Sequence, residues 1–336
     1  MASTLIALKL GSTTTTIYKD GEGLVLKEPS MIAVAGSVRS REVRAVGTEA
    51  KRLLGRTADG LQVVSPISGG VVIDSELASM MLKRFLKQVE IRQGFFKDNI
   101  RALLCVPLGI NLVERKTLEK VCYDAGINDV ILIPAIICSA VGDDIRIDTP
   151  EGKLLVNIGG GATNIAVACN NQILTGLSIA LGGSNITVAI EKLIQEKYNI
   201  KVGEGSAEEL KDNICSLHQD SSLSGEITGV NLDTKESVTI TVTSNDIHMI
   251  VSHYYGKIVE AIASCIAACP PDIVKDISMS GIYLFGGGAT IPGLEKFMRE
   301  KTGLPVHISE NVKTDIFGAA KLMNDPNALR DILLNI

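Results

Sequence analysis

Two glycine-rich turns are the segments of this sequence best suited to bind a ligand. Each follows an apolar strand, one turn beginning at Gly11 and the other at Gly159. A second strand follows each turn, over residues 15–18 and 164–168, so the pattern predicts two related β-hairpins. The tips of such hairpins expose backbone N–H groups, which bind phosphate. We therefore expect one phosphate-binding turn in each half of the chain.

The residue two positions before each turn determines whether the turn could help to bind a metal ion. These residues are Lys9 and Asn157. A phosphate clamp that coordinates Mg²⁺ would place carboxylates there, because Mg²⁺ prefers oxygen ligands of that kind. The chain has a carboxylate at neither position, so the residues themselves disfavour a metal site.

Length and composition indicate an α/β protein of two units or lobes. The chain has 336 residues, of which 46% are hydrophobic, and domains commonly hold roughly 100–200 residues. Its Ile, Val, Leu and Ala residues recur in strand–turn–helix patterns, and it has no Trp. A formal net charge of −5 gives no general attraction to nucleic acid, so that class of function is disfavoured.

The sequence also predicts a cytosolic protein. No apolar run reaches the ~18–20 residues of a membrane span, and the first ten residues do not resemble a signal peptide. The seven cysteines lack paired metal spacing, and their odd number argues against a disulfide framework. Cys265 and Cys269 lie one helical turn apart but have no neighbouring histidine in sequence, so we expect structural thiols.

Local signals predict the helices of the first half. Asp74 is placed to cap a helix whose apolar stripe begins at Leu77 and whose end is expected near residues 92–94. A second helix is predicted over residues 112–125, where Gly126 would stop it.

The order of the remaining elements predicts how they pack. Strands over 100–106 and 130–133 alternate with the helices, and this β-α-β-α order favours a parallel sheet. In the second half, a long helix should begin near Asp246 and must stop before Pro270. A final helix over 316–323 is expected to pack back on the first half.

Five sequence motifs, taken together, resemble those of one protein superfamily. They are LGSTTTT (10–16), VGTEAKRLLGRT (46–57), NIGGGATNIAV (157–167), KYNIKVGEGSAEELK (197–211) and FGGGATIPGLEKFMREKTGLPV (285–306). A single glycine run is weak evidence, because such turns occur in many α/β proteins. In this order the motifs resemble the actin, Hsp70 and sugar-kinase superfamily, and within it the bacterial actin MreB family, over essentially the whole chain.

The resemblance implies an actin-like, two-lobed α/β fold with four subdomains and a duplicated core around a nucleotide cleft. The expected subdomains are IA over 1–30, 68–145 and 311–336, IB over 31–67, IIA over 146–180 and 239–310, and IIB over 181–238.

The resemblance also implies which residues bind ATP or ADP. The first phosphate loop would hold Lys9, Gly11, Ser12, Thr13 and Thr14, and the second Asn157, Gly159, Gly160, Gly161, Ala162 and Thr163. Gly286, Gly287, Gly288 and Ala289 would approach the adenosine. Glu208 and Lys211 match the family's ribose and base contacts, although two such residues at helical spacing can also be an ordinary surface ion pair.

The departures from the family pattern concern metal and water handling. The family has aspartates where this chain has Lys9 and Asn157, and a Gly-Gly-Asp where this chain has residues 182–184, Gly-Gly-Ser. The segment of the family's water-positioning glutamate reads LIPAII over 132–137, and Ala162 replaces a threonine. Because phosphoryl transfer depends on such groups, we interpret the chain as a pseudo-ATPase, with no catalytic residues and with Mg²⁺ binding disfavoured.

Lys9 has two interpretations that the sequence leaves open. Its ammonium would lie near the β- and γ-phosphates and replace the missing cation, as lysines do in other phosphate sites. Alternatively, the cleft is empty and Lys9 pairs with a carboxylate such as Asp143, Asp144 or Asp315. Asn157 cannot replace a charged metal ligand in either case.

The resemblance further suggests a membrane contact and a filament contact. Phe95 and Phe96 lie where the family carries an apolar membrane-inserting loop, and the flanking Arg92 and Lys97 suit anionic lipid. Alternatively, one of these rings packs on the core. The helix containing Val113 would take part in any antiparallel pairing of protofilaments.

Three functions are therefore compared. The first is an MreB-like protein of cell shape that forms head-to-tail filaments with itself, at the inner face of the cell membrane, with hydrolysis lost or very slow. The second is a non-polymerising pseudo-ATPase that regulates a functional MreB filament or a membrane partner. The third, which the missing carboxylates disfavour, is a sugar-kinase-like phosphotransferase.

Overall fold

The computed structural model of the chain describes residues 3–36, 41–55, 60–91 and 99–334. The chain divides into two compact units. The first contains Met1–Glu151, Ala168–Ser178 and Lys313–Ile336, and the second Gly152–Val167 and Ile179–Val312. The four subdomain boundaries are a finer division and stay a prediction.

The described residues form strands, α-helices and one short 3₁₀ segment. The strands are β1 (Ser3–Leu10), β2 (Thr14–Lys19), β3 (Gly23–Pro29), β4 (Ile32–Ala35), β5 (Glu42–Val46), β6 (Leu61–Val64), β7 (Ile67–Ser68), β8 (Val71–Val72), β9 (Asn99–Val106), β10 (Asp129–Pro134), β11 (Lys153–Ile158), β12 (Thr163–Cys169), β13 (Gln172–Ile179), β14 (Ile200–Lys201), β15 (Ser224–Asn231), β16 (Ser237–Thr243), β17 (Ile282–Phe285) and β18 (Val306–Ile308). The helices are α1 (Gly47–Leu53), α2 (Ser75–Gln88), α3 (Leu112–Ala125), α4 (Ala135–Gly142), α5 (Gly183–Tyr198), α6 (Glu204–Ile214), α7 (Ser244–Ala267), α8 (Pro271–Ser280), α9 (Leu294–Thr302), α10 (Thr314–Met323) and α11 (Pro326–Leu333).

The first unit is built on a mixed five-stranded sheet of order β10-β9-β1-β2-β3. The pairs β10–β9 and β9–β1 are parallel, while β1–β2 and β2–β3 are antiparallel. Both the first hairpin and the parallel β-α-β-α core predicted from the sequence are therefore present. Helices α2 and α3 pack against each other, and their buried side chains join those of the sheet in one hydrophobic core.

The predicted helix start and stop signals of this unit are confirmed. The Asp74 side chain accepts a 3.0 Å hydrogen bond from the Leu77 N–H at the start of α2. Gly126, with φ of 103°, ends α3 in the left-handed conformation that glycine adopts without strain.

The predicted end of α2 near residues 92–94 is wrong, because the helix ends at Gln88. Glu90 adopts the left-handed conformation with φ of 57°, and the Ile91 N–H donates to the Leu86 carbonyl at 3.1 Å. This is a Schellman ending, and the buried Ile91 side chain supplies its usual hydrophobic contact. A glutamate rather than Gly94 therefore ends the helix.

Helix α10 packs closely on α4 within the first unit, as predicted for the helix over 316–323. It is not the final helix, however, because α11 follows it. The contact depends on two glycines. A β-carbon at Gly318 would overlap the carbonyl oxygen of Cys138, and one at Gly142 would overlap that of Thr314. The two backbones therefore touch, which holds the first turn of α10 against α4.

In the second unit, neighbouring strands lie in the order β12-β11-β17-β18, and β11, β17 and β18 are parallel. A three-stranded sheet of order β14-β15-β16 packs beside α5 and α6. The long helix α7 begins with a capping box between Thr243 and Asp246 and ends at Ala267, before Pro270, as predicted.

Candidate functional site

The first two glycine turns close in the same way, although they lie in different units. The Gly11 N–H donates to the Thr14 carbonyl at 3.1 Å, and the Gly159 N–H donates to the Ala162 carbonyl at 2.9 Å. A β-carbon at Gly11 would lie 2.7 Å from the Thr14 oxygen, and one at Gly159 would lie 2.9 Å from the Ala162 oxygen. Each turn therefore needs glycine at its first position, which supports the prediction of two related hairpins.

The first turn is fixed by the hydroxyl of Ser12, which belongs to the predicted phosphate loop, and by the hydroxyl of Ser30, which sequence reasoning missed. The Ser30 hydroxyl donates to the Gly11 carbonyl at 2.5 Å, and the Ser30 N–H donates to the Thr13 carbonyl at 3.0 Å. The Ser12 hydroxyl accepts a 2.8 Å hydrogen bond from the Gly70 N–H. No spacing in the sequence relates Ser30 or Gly70 to the turn, because the antiparallel β2–β3 pairing and the β7–β8 hairpin bring them there.

Lys9 forms an ion pair with Asp315 inside the first unit. The Asp315 carboxylate is 5% exposed and the Lys9 side chain is 31% exposed, so the lysine provides the accessible side of the pair. Of the three carboxylates considered from the sequence, Asp315 is therefore the one that meets Lys9, while Asp144 pairs with Lys321 at 2.7 Å.

The surroundings of Lys9 keep its ammonium charged. Burial works against the charged form, but the facing Asp315 carboxylate outweighs it, and the pKa of Lys9 is raised above its ordinary value. The Cys138 thiol lies close by, and burial raises the pKa of that thiol well above the ordinary range. The Lys9 ammonium thus stays charged beside the Asp315 side chain.

The second turn is supported by the start of α5. The Gly183 N–H donates to the Gly159 carbonyl at 3.1 Å, and the Ser184 N–H donates to the Gly160 carbonyl at 2.8 Å. A β-carbon at Gly182 would lie 2.6 Å from both of those carbonyl oxygens. The Gly-Gly-Ser segment therefore packs directly on the second turn, which also contains Gly161 and Ala162.

The buried Thr163 hydroxyl ties the other end of this turn to the Leu181 carbonyl at 2.7 Å. Because Thr163 begins β12 and Leu181 lies immediately before Gly182, this bond joins the second strand of the hairpin to the segment that supports the turn.

The third turn, over Gly286–Ala289, packs on the end of β11. Gly286 has φ of +87°, and a β-carbon there would lie 2.7 Å from Oδ1 of Asn157. Asn157 is 5% exposed, so its amide is enclosed between the second and third turns. The Ala289 N–H closes the third turn on the Gly286 carbonyl at 3.0 Å, in a short 3₁₀ segment that includes Gly287.

Lys211 reaches the segment that supports the second turn. Its ammonium donates to the Thr187 hydroxyl at 3.2 Å and lies 3.4 Å from an Asp212 carboxylate oxygen. A β-carbon at Gly183 would lie 3.7 Å from the same ammonium. Glu208 lies one turn earlier on α6 and is half-buried. The structure therefore brings Lys211 to the start of α5, which supports the second turn within the same unit.

The residues present do not fit a hydrated Mg²⁺. The two positions where the resemblance places carboxylates hold the ammonium of Lys9 and the enclosed amide of Asn157. Over residues 3–36, 41–55, 60–91 and 99–334, no cluster of three His, Cys, Asp or Glu residues has the arrangement of a metal site. At the start of α4, Ala135 and Ile136 are buried apolar residues with no group to orient a water.

The remaining predicted contacts lie on the surface or outside the described residues. Val113 is 73% exposed near the start of α3, beside the equally exposed Leu112. Phe95 and Phe96 lie outside the described residues. None of the described helices is long and apolar enough to cross a membrane.

Comparison with known proteins gives consistent matches over nearly the whole chain. The family model described as MreB/Mbl protein matches residues 3–331. The cell shape-determining protein MreB of Escherichia coli (strain K12) is 35% identical over 319 residues, covering 94% of this chain and 91% of that protein.

Two crystal structures of MreB 5 of Spiroplasma citri match in three dimensions at 28% identity. The structure bound to AMPPNP has a TM-score of 0.88 and covers 99% of both chains. The structure bound to ADP has a TM-score of 0.89 and covers 98% of both chains. These matches confirm the actin-like α/β fold predicted from the sequence.

Proposed function

Because this chain belongs to the MreB/Mbl family, we propose that it is a cell shape-determining cytoskeletal protein that binds ATP or ADP and assembles head to tail into filaments. Hydrolysis is lost or very slow in this proposal. One observation carries it: the glycines of all three turns are kept, whereas the side chains for metal and water handling are not.

The intact turns support nucleotide binding. Glycine is required at Gly11, Gly159 and Gly286, because a β-carbon at each would crowd a carbonyl oxygen. Turns of this kind bind phosphate through backbone N–H groups and need no metal to do so. The relative from Spiroplasma citri has been crystallised with AMPPNP and with ADP, which supports the same ligand class here. Glu208 and Lys211 are the proposed ribose and base contacts.

The replaced side chains support the loss of hydrolysis. Phosphoryl transfer requires positive charge at the transferring phosphate and a group that orients the attacking water. Here Lys9 is paired with Asp315, Asn157 is enclosed against Gly286, and buried alanines stand at 135 and 162. Loss of one stabilising group often costs a factor of about 10²–10³ in rate, although such effects do not add.

Filament formation depends on contacts between subunit surfaces, so it would persist without ATP hydrolysis. Head-to-tail contacts between identical subunits generate an open filament, and the exposed Val113 face of α3 is the proposed contact between antiparallel protofilaments. Other MreB-family proteins and membrane cell-shape proteins are the further proposed partners.

Membrane attachment through Phe95 and Phe96 is proposed from the sequence. Two rings would each contribute on the order of 1–3 kcal/mol at a lipid interface, and a filament would multiply this through avidity. Phe95→Ser with Phe96→Ser should abolish co-sedimentation with anionic liposomes and leave solution filaments intact. Loss of secondary structure and thermal stability in this double variant would instead assign the rings to the core.

Electron microscopy and ultracentrifuge pelleting across a concentration series test the proposal, with phosphate release measured in the same samples. We expect filaments with ATP or ADP and phosphate release at background. Strictly monomeric protein at tens of micromolar, with and without lipid, would favour the regulator. Protein-dependent phosphate release that survives repurification would contradict the loss of hydrolysis, and γ-phosphate transfer to a sugar would indicate a phosphotransferase.

A further inference from the structure

We propose that Asp315 sets the affinity of the first glycine turn for polyphosphate, by competing with the ligand's phosphate groups for the Lys9 ammonium. The inference rests on the proposed function, in which a nucleotide phosphate chain binds at this turn. It adds an affinity-determining residue that lies 306 positions from Lys9 in sequence.

The Lys9 side chain runs along the turn to reach its partner. Its Cε lies 3.8 Å from the position that a β-carbon on Gly11 would occupy. The ammonium at the end of this chain meets Oδ2 of Asp315. Because Lys9 is 31% exposed and Asp315 only 5%, an anion arriving at the turn meets the ammonium before the carboxylate.

Asp315 is the fixed member of the pair. Its other carboxylate oxygen, Oδ1, accepts a 2.8 Å hydrogen bond from the Ile316 N–H in the first turn of α10. Helix α10 cannot shift easily, because the glycine contacts of Gly142 and Gly318 hold its backbone against α4. Lysine has a flexible four-carbon stem and three N–H donors. The ammonium can therefore turn toward a phosphate while the carboxylate stays in place.

The charges of the site explain why Asp315 weakens phosphate binding. The charges of Lys9 and Asp315 have opposite signs and cancel. A phosphate at the turn is attracted by the Lys9 ammonium and repelled by the Asp315 carboxylate. The other titratable groups that act on Lys9 are the thiols of Cys105 and Cys138, and burial keeps the Cys138 thiol neutral by raising its pKa. Removing one nearby negative charge in a partly buried site raises anion affinity by about tenfold or more.

The charge at position 9 has the opposite sign to the one that the resemblance implies. The family carboxylate at position 9 is replaced by a cation, and the carboxylate facing that position comes from helix α10 instead. Polyphosphate binding would then need no metal and would be weakened by an internal anion.

The test is calorimetric titration with inorganic tripolyphosphate in EDTA. Asp315→Asn removes the charge with little change in shape and should bind at least about tenfold more tightly than the unmodified chain. Lys9→Met should bind more weakly than the unmodified chain. Adding Asp315→Asn to Lys9→Met should gain less affinity than Asp315→Asn gains in the unmodified chain, because only repulsion, and no competition for Lys9, is then removed. Asp144→Asn is the matched control, because it breaks the exposed Lys321–Asp144 pair near the same α4 and α10 helices and should leave affinity unchanged.

Unchanged or weaker binding by Asp315→Asn would overturn the inference, even where the unmodified chain binds ATP as proposed. Tighter binding by Asp315→Asn would support it even if ATP does not bind the unmodified chain. If a variant fails to fold, a second measurement on the unmodified chain still tests the inference. Tripolyphosphate should protect Lys9 of the unmodified chain from reductive methylation, read by peptide mass spectrometry, and absence of protection would also overturn the inference.

Discussion

The hydroxyl of Tyr255 donates a 2.6 Å hydrogen bond to the carbonyl of Gly288 and so joins α7 to the third glycine turn. Tyr255 is 3% exposed, and burial raises the pKa of its hydroxyl, which therefore stays a donor. A buried hydroxyl needs such a partner, and here the partner belongs to the proposed adenosine-binding turn.

Tyr255→Phe should lower the free energy of unfolding by about 1–2 kcal/mol, because it leaves the Gly288 carbonyl without this donor. It should also weaken ATP binding, since the turn loses the bond that holds it. Urea unfolding and calorimetry measure the two effects. Tyr254→Phe, at the neighbouring half-buried position, is the control and should change neither. Full ATP affinity in a destabilised Tyr255→Phe would mean that the bond serves the fold alone.

Ser30→Ala should destabilise the first glycine turn. The fully buried Ser30 hydroxyl donates to the Gly11 carbonyl and lies 2.9 Å from the Thr15 hydroxyl. Loss of a buried partner of this kind costs about 1–3 kcal/mol, which urea unfolding would detect. Ser278→Ala removes an exposed hydroxyl that bonds the Val274 carbonyl at 2.8 Å, and it should change stability little. Equal effects of the two substitutions would contradict the role assigned to Ser30.

Local signals predicted much of this architecture. Several features follow from residues that lie near one another in sequence. They are the helix caps at Asp74 and Gly126, the two related turns at Gly11 and Gly159, and the end of α7 before Pro270. Each depends on backbone geometry that a few neighbouring residues decide.

The parts that could not be predicted depend on distant residues or on rare conformations. Lys9 had three candidate carboxylates, and only the packing of α10 on α4 selects Asp315. The sequence pattern does not reveal the true end of α2, because Glu90, a residue type that rarely adopts positive φ, takes the position expected of glycine. The buried Ile91 supplies the hydrophobic contact that completes this ending.

Nucleotide binding by the unmodified chain should tolerate EDTA, because neither Lys9 nor Asn157 offers a carboxylate to Mg²⁺. Lys9→Asp with Asn157→Asp should restore metal dependence only when Asp315→Asn is added, since a carboxylate at position 9 would otherwise face the Asp315 carboxylate. Calorimetry with and without Mg²⁺ measures this. The control is Lys9→Met with Asn157→Asp and Asp315→Asn, which adds no carboxylate at position 9. Binding that strictly requires Mg²⁺ in the unmodified chain would contradict the prediction.

The start of α7 should show a defined pH dependence. Hydrogen bonds from Lys197 and from the Thr243 backbone and hydroxyl lower the pKa of Asp246 from 3.8 to about 2. Because folding lowers this pKa, the carboxylate contributes stability above about pH 4 and loses it as the pH falls through about 2. Asp246→Asn should therefore be less stable than the unmodified chain at pH 7, and the gap should narrow below pH 4. Urea unfolding across this range would show a constant gap if the carboxylate's charge were irrelevant.

Val113→Glu should abolish pairing of protofilaments and leave the subunit folded. Val113 is 73% exposed on α3, so a charged side chain there costs the isolated subunit little. The helix start is secured independently, because the Asn111 side chain accepts from the Val113 and Glu114 N–H groups and Glu114 accepts in return from the Asn111 N–H. In a protofilament contact, by contrast, the same carboxylate would be buried without a partner.

Electron microscopy of Val113→Glu should thus show single protofilaments where the unmodified chain shows pairs. Tyr123→Glu is the matched control, since Tyr123 is also exposed on α3 but lies near its other end. Circular dichroism confirms that both variants keep their helices. Paired filaments of normal appearance in Val113→Glu would mean that the contact between protofilaments lies elsewhere. A glutamate buried at the centre of an interface weakens that interface far more than a glutamate at its rim.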